Sequence, residues 1–203
     1  MIIGNESETC INAAMFAADL LSRVTSIKQG STILVGYTYL GINRIVKANY
    51  SSQPGVALTF IKQSGESNGD AGDQYTGLDR FGRVVDQRWL KTSSGAALDR
   101  VQYGFDRASN RLWRENLVQT TNQDEFYTYD GLYRLSALQR GTLKSDHTGL
   151  TGTSTWEEDF SFDPTGNWHG TTTGYKTLAN GTTTLDQNRS DSMANEITGI
   201  TTN

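Results

Sequence analysis

A short pattern of aromatic, aspartate, turn and basic residues recurs along this 203-residue chain and constrains its fold more than any other feature. In most copies, aromatic residues at alternate positions precede an Asp, and Gly, Asn or Arg follow within five residues. Such repetition indicates an array of small units that bury surface against their neighbours. The clearest copies are Tyr75–Val84, Tyr103–Leu112, Tyr127–Leu135 and Phe160–Trp168, and looser ones are Phe16–Val24 and Tyr37–Ile45.

The spacing of the copies favours β-hairpins. The aspartates Asp79, Asp106, Asp130 and Asp163 follow one another at intervals of 27, 24 and 33 residues. Helical solenoids keep a nearly constant period, whereas hairpins accept outer loops of different lengths. Alternating apolar residues and Gly-marked turns over residues 31–60 give the same indication. We therefore predict an all-β fold in which tandem antiparallel hairpins form one continuous, curved and open sheet.

The sequence divides into three parts: divergent N-terminal repeats (1–62), a polar loop (63–74) and a regular repeat array (75–203). The alanine content of residues 1–15 permits a short helix. Residues 16–27 are predicted to be strand, turn and strand, because Asp19 and Arg23 have the spacing of the clear copies. The Thr-, Ser- and Gly-rich segment 141–158 is predicted to be a protruding hairpin end, and residues 195–200 another strand.

Every residue of the repeat has a predicted role in folding. Aromatic residues two apart share a strand face and can pair with those of the next copy. The Asp carboxylate can accept a backbone N–H bond from two residues further on, and the Arg can pair with Asp or cover an aromatic ring. Positive φ angles are expected at Gly82, Gly131, Gly166 and Asn110. The copies at Asp106 and Asp163 are expected to contain one extra turn residue, as in a β-bulge. The residues given these structural roles are Tyr75, Asp79, Gly82, Arg83, Tyr103, Asp106, Asn110, Arg111, Tyr127, Tyr129, Asp130, Arg134, Phe160, Phe162, Asp163, Gly166 and Trp168.

Composition excludes several classes of protein. A net charge of −4 and a pI near 5.2 argue against a nucleic-acid-binding surface. The single cysteine, Cys10, excludes an internal disulfide framework, and no apolar run reaches the ~20 residues of a membrane span. His147 and His169 lie outside any nucleophile or metal motif. We therefore predict no catalytic, cofactor-binding or metal-binding residue, and no enzymatic activity.

The copies resemble the YD repeats of the Rhs family, bacterial repeat proteins whose eukaryotic relatives include teneurins. The resemblance is specific over residues 75–168 and extends over 16–203, with Tyr127-Thr-Tyr-Asp-Gly-Leu-Tyr-Arg-Leu135 as its clearest copy. It implies a sheet of hairpins that spirals into a hollow shell, which encloses a C-terminal toxin or presents a surface for cell contact. The family's C-terminal core, with its self-cleavage site, has no counterpart before Asn203, so we expect a segment of a longer protein.

Two functional hypotheses follow. The first is a non-catalytic structural segment of an Rhs-like secreted or cell-surface protein, whose partners are the remaining repeats and the C-terminal effector of the parent. The second is a surface module that binds cell-surface carbohydrate or protein through exposed aromatic side chains such as Trp113 and Trp168. Aromatic rings buried between hairpins would favour the first hypothesis, and a contiguous exposed patch the second.

Overall fold

The computed structural model describes residues 14–50, 52, 54–70, 75–119, 121–170 and 173–203. Within these ranges all regular structure is β, and fourteen strands are hydrogen-bonded in sequence order in one sheet. The strand order does not return to its first strand, so the sheet is open. This confirms the predicted fold of tandem antiparallel hairpins. No helix in the described ranges is long and apolar enough to cross a membrane.

The strands vary in length from four to eleven residues. They are β1 (Ala14–Ala18), β2 (Val24–Gln29), β3 (Thr32–Leu40), β4 (Arg44–Tyr50), β5 (Val56–Thr59), β6 (Asp86–Lys91), β7 (Ala97–Phe105), β8 (Arg111–Asn116), β9 (Asp124–Tyr129), β10 (Leu135–Leu143), β11 (Leu150–Phe160), β12 (Tyr175–Ala179), β13 (Thr182–Asp191) and β14 (Ile197–Thr202).

The ends of the chain agree with the strand predictions. Strands β1 and β2 flank a turn, as predicted for residues 16–27, and β14 begins at Ile197, so it overlaps the strand predicted at 195–200 from that residue onward. The helix permitted for residues 1–15 lies mostly outside the described residues, and Ala14 and Met15 belong to β1. The chain forms two compact units, the first ending at Arg100 and the second beginning at Val101. The predicted division at residues 63–74 stays a prediction.

In the first unit, a buried ion-pair network fastens the polar loop to the sheet. Arg88 on β6 is 4% exposed, and its guanidinium lies 2.8 Å from Glu66 of the loop and 2.9 Å from Asp86. Arg100 lies 2.6 Å from the same Asp86 carboxylate. Desolvation opposes ionisation of Glu66, but the hydrogen bonds from Arg88 and from the Gln63 backbone, together with the charges of Arg88 and Arg100, outweigh it and lower the pKa of Glu66. Removing Glu66 would leave part of the charge of the buried Arg88 uncompensated, which is costly. The ion pair therefore keeps the loop attached to the sheet.

In the second unit, the segment 141–158, predicted to be a protruding hairpin end, contacts a neighbouring strand of the sheet. Strands β10 and β11 account for most of residues 141–158, and their connecting turn reaches β8. There the ring of His147 stacks on Trp113 with 3.9 Å between ring centroids, and its Nε2 lies 3.1 Å from a Glu115 carboxylate oxygen. The prediction of a protruding end is therefore wrong, because an aromatic stack holds the turn against a neighbouring strand.

The indole of Trp113 also lies over a glycine. Gly104 on β7 is the cross-strand partner of Trp113, and a Cβ atom added to Gly104 would come within 2.0 Å of the indole nitrogen. Only glycine leaves room for the ring at this position. The second unit thus contains an ordered stack of Gly104 backbone, Trp113 and His147.

Replacing Gly104 with alanine should expel the indole from this stack. Forced repacking of this kind costs about 1–3 kcal/mol, and we expect Gly104→Ala to lower the free energy of unfolding by that amount in urea titrations followed by circular dichroism. Gly131→Ala is the matched control, because nothing lies within 4 Å of its added Cβ. Equal unfolding free energies for the two variants would contradict the stack.

Candidate functional site

The candidate functional site is a five-residue turn that joins the two strands of a hairpin, here called the hairpin corner. In every corner the first residue's N–H donates to the carbonyl of the fifth, and the fourth residue's N–H donates to the carbonyl of the first, at 2.8–3.2 Å. This is a type I turn followed by a left-handed residue, a common hairpin loop with a built-in bulge. The corners found in the described residues begin at Asp19, Asp79, Asp106, Asp130, Asp163 and Ser192.

The fourth residue of each corner has a positive φ. Gly82 and Gly166 do so as predicted, at 75° and 96°. The predictions for Gly131 and Asn110 are wrong, because Tyr133 (62°) and Ser109 (70°) take this conformation in their corners. A left-handed non-glycine residue costs about 1–2 kcal/mol, so other contacts of the corner must offset that strain.

The first residue supplies those contacts through its side chain. In the fourth corner, Asp130 Oδ1 accepts the N–H groups of Leu132 and Arg134, each at 2.9 Å. Its other oxygen accepts Arg134 Nε at 2.6 Å. The corners at Asp19 and Asp79 repeat this pattern with Arg23 and Arg83. One carboxylate therefore satisfies the backbone donors of its turn and orients the guanidinium that closes it.

Asparagine replaces the closing arginine in two corners. Asn110 Nδ2 donates to Asp106 at 2.8 Å, and Asn167 Nδ2 donates to Asp163 at 3.0 Å. Each asparagine is the fifth residue of its corner, so these corners have the same length as the others. The predicted extra turn residue in the Asp106 and Asp163 copies is therefore absent, and Arg111 begins β8 directly after its corner.

The hydrogen bonds of the corners stabilise the ionised carboxylates. At Asp79, desolvation opposes ionisation, but hydrogen bonds from Arg83 outweigh it and lower the pKa. At Asp130, the backbone N–H of Arg134 is the largest cause of a lowered pKa. Partial desolvation also opposes ionisation of Asp163, and bonds from Thr165 and Asn167 more than offset it, so its pKa is well below the usual range. These corners therefore need charged carboxylates.

Two of the closing arginines, Arg23 and Arg134, also bind the next hairpin along the chain, whereas Arg83 covers Phe81 of its own corner. Arg134 places its guanidinium carbon 4.7 Å from the ring centroid of Phe162 and donates to the backbone carbonyl of Asp163 at 2.9 Å. Arg23 makes the same two contacts, with its guanidinium carbon 4.6 Å from the Tyr39 ring centroid and a hydrogen bond to the Gly41 carbonyl. One arginine thus holds its own turn and the first half of the next hairpin together.

Tyrosine hydroxyls make a contact in the opposite direction. Tyr129 donates to the carbonyl of Arg111 at 2.8 Å, and Tyr39 donates to the carbonyl of Val24 at 2.7 Å. Both acceptors directly follow the fifth residue of the preceding corner. We call the arginine and tyrosine contacts between successive hairpins the clasp; its members are the pairs Arg23–Tyr39, Tyr39–Val24, Tyr129–Arg111, Arg134–Phe162 and Arg134–Asp163.

Of the remaining aromatic residues of the repeat, Phe16, Phe81 and Tyr133 are exposed, whereas those that precede the aspartates of the clear copies are half-buried. Tyr103 lies 6.5 Å from Phe105, and Arg111 covers the Tyr103 ring at 4.6 Å. Tyr75 is likewise half-buried. Burial, together with a hydrogen bond to Glu125, raises the pKa of Tyr127 to about 12, so this hydroxyl remains a donor.

The densest aromatic cluster lies around the corner that begins at Asp163. The Phe160 and Phe162 rings are 6.2 Å apart, Trp168 stacks on Tyr175 at 4.5 Å, and Arg189 covers Trp168 at 4.0 Å. Tyr175 and Arg189 belong to no recognisable repeat copy, and the sequence patterns did not indicate them. Their contacts depend on the pairing of β11, β12 and β13, which no local motif encodes.

One repeat copy lacks the aspartate of the pattern, and one corner forms without an aspartate. The loose copy at Tyr37–Ile45 has Leu40 in place of Asp, and its positive φ lies at Gly41, directly after that leucine. In contrast, Ser192 builds a full corner without an aspartate, because its hydroxyl accepts the N–H groups of Ala194 and Glu196 at 3.2 Å. The described residues contain no group of three or more acidic, His or Cys side chains that could hold a metal ion.

Comparison with known proteins supports the fold. No protein family model and no curated protein sequence matches this chain. Solved structures of TcdB2-TccC3 and TcdB2-TccC3-TEV are each similar to it, with a TM-score of 0.56 and 12% identity. The match covers 93% of this chain and 11% of each neighbour chain. At this identity the likeness shows the fold alone, which is consistent with the predicted Rhs or YD-repeat shell.

The clasp predicts a specific loss for a change of one hydroxyl group. Tyr129→Phe removes the bond to the Arg111 carbonyl, and we expect the free energy of unfolding to fall by about 0.5–1.5 kcal/mol in urea titrations. Tyr133→Phe is the control, because Tyr133 is 65% exposed. An effect of the same size in both variants would show that the Tyr129 bond does not connect the hairpins.

The corners also predict loss of stability in acid. Because the folded-state pKa values of Asp79, Asp130 and Asp163 are lowered, their contribution is complete above the unfolded value of about 3.9 and is lost as pH falls through the folded values. We expect the urea midpoint to decrease from pH 5 to pH 2. Asp130→Asn should flatten this decrease, whereas Asp99→Asn, outside the corners, should leave it unchanged. A wild-type midpoint independent of pH would contradict the role of the carboxylates.

Proposed function

We propose that this chain is a non-catalytic structural segment of an Rhs-like secreted or cell-surface protein, and forms part of a shell that encloses or presents a toxin or adhesive element. The observation that carries this proposal is the clasp, in which a residue that closes one hairpin also binds the next. Such nearest-neighbour contacts are what an extended array of repeats needs. Similarity in fold to TcdB2-TccC3 supports a structural, shell-like role.

The burial and the contacts of the aromatic residues favour a structural role over a surface that binds carbohydrate or protein. Tyr103, Tyr129, Phe162 and Trp168 are all half-buried. Arginines cover the rings of Tyr103, Phe162 and Trp168, and the Tyr129 hydroxyl is bonded to a neighbouring strand. A carbohydrate platform presents an uncovered aromatic face to the sugar. The Trp168–Tyr175 pair is already covered by Arg189 on one side, so we place surface recognition through aromatic residues second.

The shell role can be tested in the source cells with the parent protein at its natural length. A tagged parent would be isolated under native conditions and exposed to increasing protease, and its fragments identified by mass spectrometry. We expect the repeats and one further polypeptide segment to persist together. The double variant Arg23→Ala/Arg134→Ala removes the clasp contacts of both arginines. It should allow the protected segment to be digested at a lower protease dose.

The matched control for this experiment is Arg107→Ala, because Arg107 is exposed at a corner and does not close it. The control should behave as the wild type. The proposal is overturned if no further segment is protected, or if the clasp variant and the control release it at the same dose.

A further inference from the structure

A cavity of about 200 Å³ opens on the first unit, above strands β4, β5 and β6. Strand register explains its floor. Asn49, Ala57 and Leu90 are consecutive cross-strand partners, and Lys47 pairs in the same way with Thr59, so all five side chains point to one face. Ala57, Thr59 and Leu90 are nearly inaccessible, at 3%, 1% and 9% exposure. The cavity is therefore built into the sheet, and Ala57 and Leu90 form the apolar part of its floor.

One buried polar atom beside this floor has no partner in the described part of the protein, whereas Thr59 and Thr92 are hydrogen-bonded to Ile61 and Gly55. Asn49 Oδ1 is buried and accepts no hydrogen bond from the described residues. An unsatisfied buried acceptor costs about 1–3 kcal/mol, so a donor from a ligand would recover that energy. Gln63, from the loop over the sheet, donates through Nε2 to the Ile61 carbonyl at 2.7 Å, which leaves its Oε1 as a second acceptor.

The charge of the cavity is positive. Lys47 and Lys91 both line it, and neither forms an ion pair with a described acidic residue. The acidic groups of the nearby loop and strand, Glu66 and Asp86, are already occupied by Arg88 and Arg100. Two lysines beside the unsatisfied amide oxygen of Asn49 favour a ligand that is anionic and also carries hydrogen-bond donors.

We propose that this cavity binds a small organic carboxylate that also bears hydroxyl groups, of the size of one acidic sugar ring. Its carboxylate would pair with Lys47, and a hydroxyl would donate to Asn49 Oδ1. Leu90 and Ala57 would contact the C–H face of the ring. The volume equals that of about seven liquid waters, below the ~300–1,000 Å³ of pockets for larger ligands. Sulfate would satisfy the lysines alone, because it has no donor for the amide oxygen.

The test is a calorimetric titration of the intact protein with D-glucuronate. Two control ligands separate the requirements: D-glucose has the ring and hydroxyl groups without the carboxylate, and acetate has the carboxylate without hydroxyl groups. We expect saturable binding of glucuronate and at least tenfold weaker binding of both controls. The proposal is overturned if glucuronate does not bind, or if either control binds as tightly.

Variants locate the site. Lys47→Gln should weaken glucuronate binding at least tenfold, whereas Lys28→Gln, on β2 away from the cavity, should leave it unchanged. Asn49→Asp places a negative charge beside the carboxylate and should weaken binding similarly, which keeps the proposal testable if Lys47→Gln does not fold by circular dichroism. Equal binding by all three variants would overturn the assignment. The clasp residues are untouched, so failure here leaves the proposed shell role standing.

Discussion

The side-chain oxygen at the first position of each corner, a carboxylate in every corner except that of Ser192, is the group on which the rest of the structure depends. It satisfies backbone donors of its turn, and so makes a left-handed Ser109 or Tyr133 tolerable where a glycine would otherwise be needed. At Asp19 and Asp130, the carboxylate also fixes the guanidinium of the closing arginine on the side that faces the next hairpin. Local turn formation and contact between hairpins are therefore achieved by the same few atoms.

This arrangement suits a protein with a modest hydrophobic core. The fully buried large side chains in the described residues are Leu78, Val46 and Thr59, and several buried positions are charged. Stability must therefore come largely from strand pairing, the clasp and buried ion pairs such as that of Arg88. A sheet stabilised by neighbours in this way can be extended by further hairpins without a larger core, as in other repeat proteins.

The sequence predicted those features that are encoded within one hairpin. Asp–x–x–x–Arg spacing located the turns, and aromatic alternation located the strands, because both depend on residues a few positions apart. The positive φ at Tyr133 is not predicted, because the pattern assigns that conformation to Gly131, the glycine of the same corner. The Trp113–His147 stack and the Glu66–Arg88 pair join residues far apart in the chain, and no local pattern indicates which residues will meet.

The arginine contacts of the clasp have a direction, and this has a consequence for how the protein is made. Arg23 and Arg134 reach from an earlier hairpin to a later one, so each completed corner presents an oriented guanidinium before its partner exists. The clear copies lie 24–33 residues apart, which the ribosome needs about a second or more to add at ~5–20 residues per second. A hairpin closes in about 1–10 μs. Each new hairpin can thus fold against a hairpin that has already formed. The array can therefore fold from its N-terminus in the order of its synthesis.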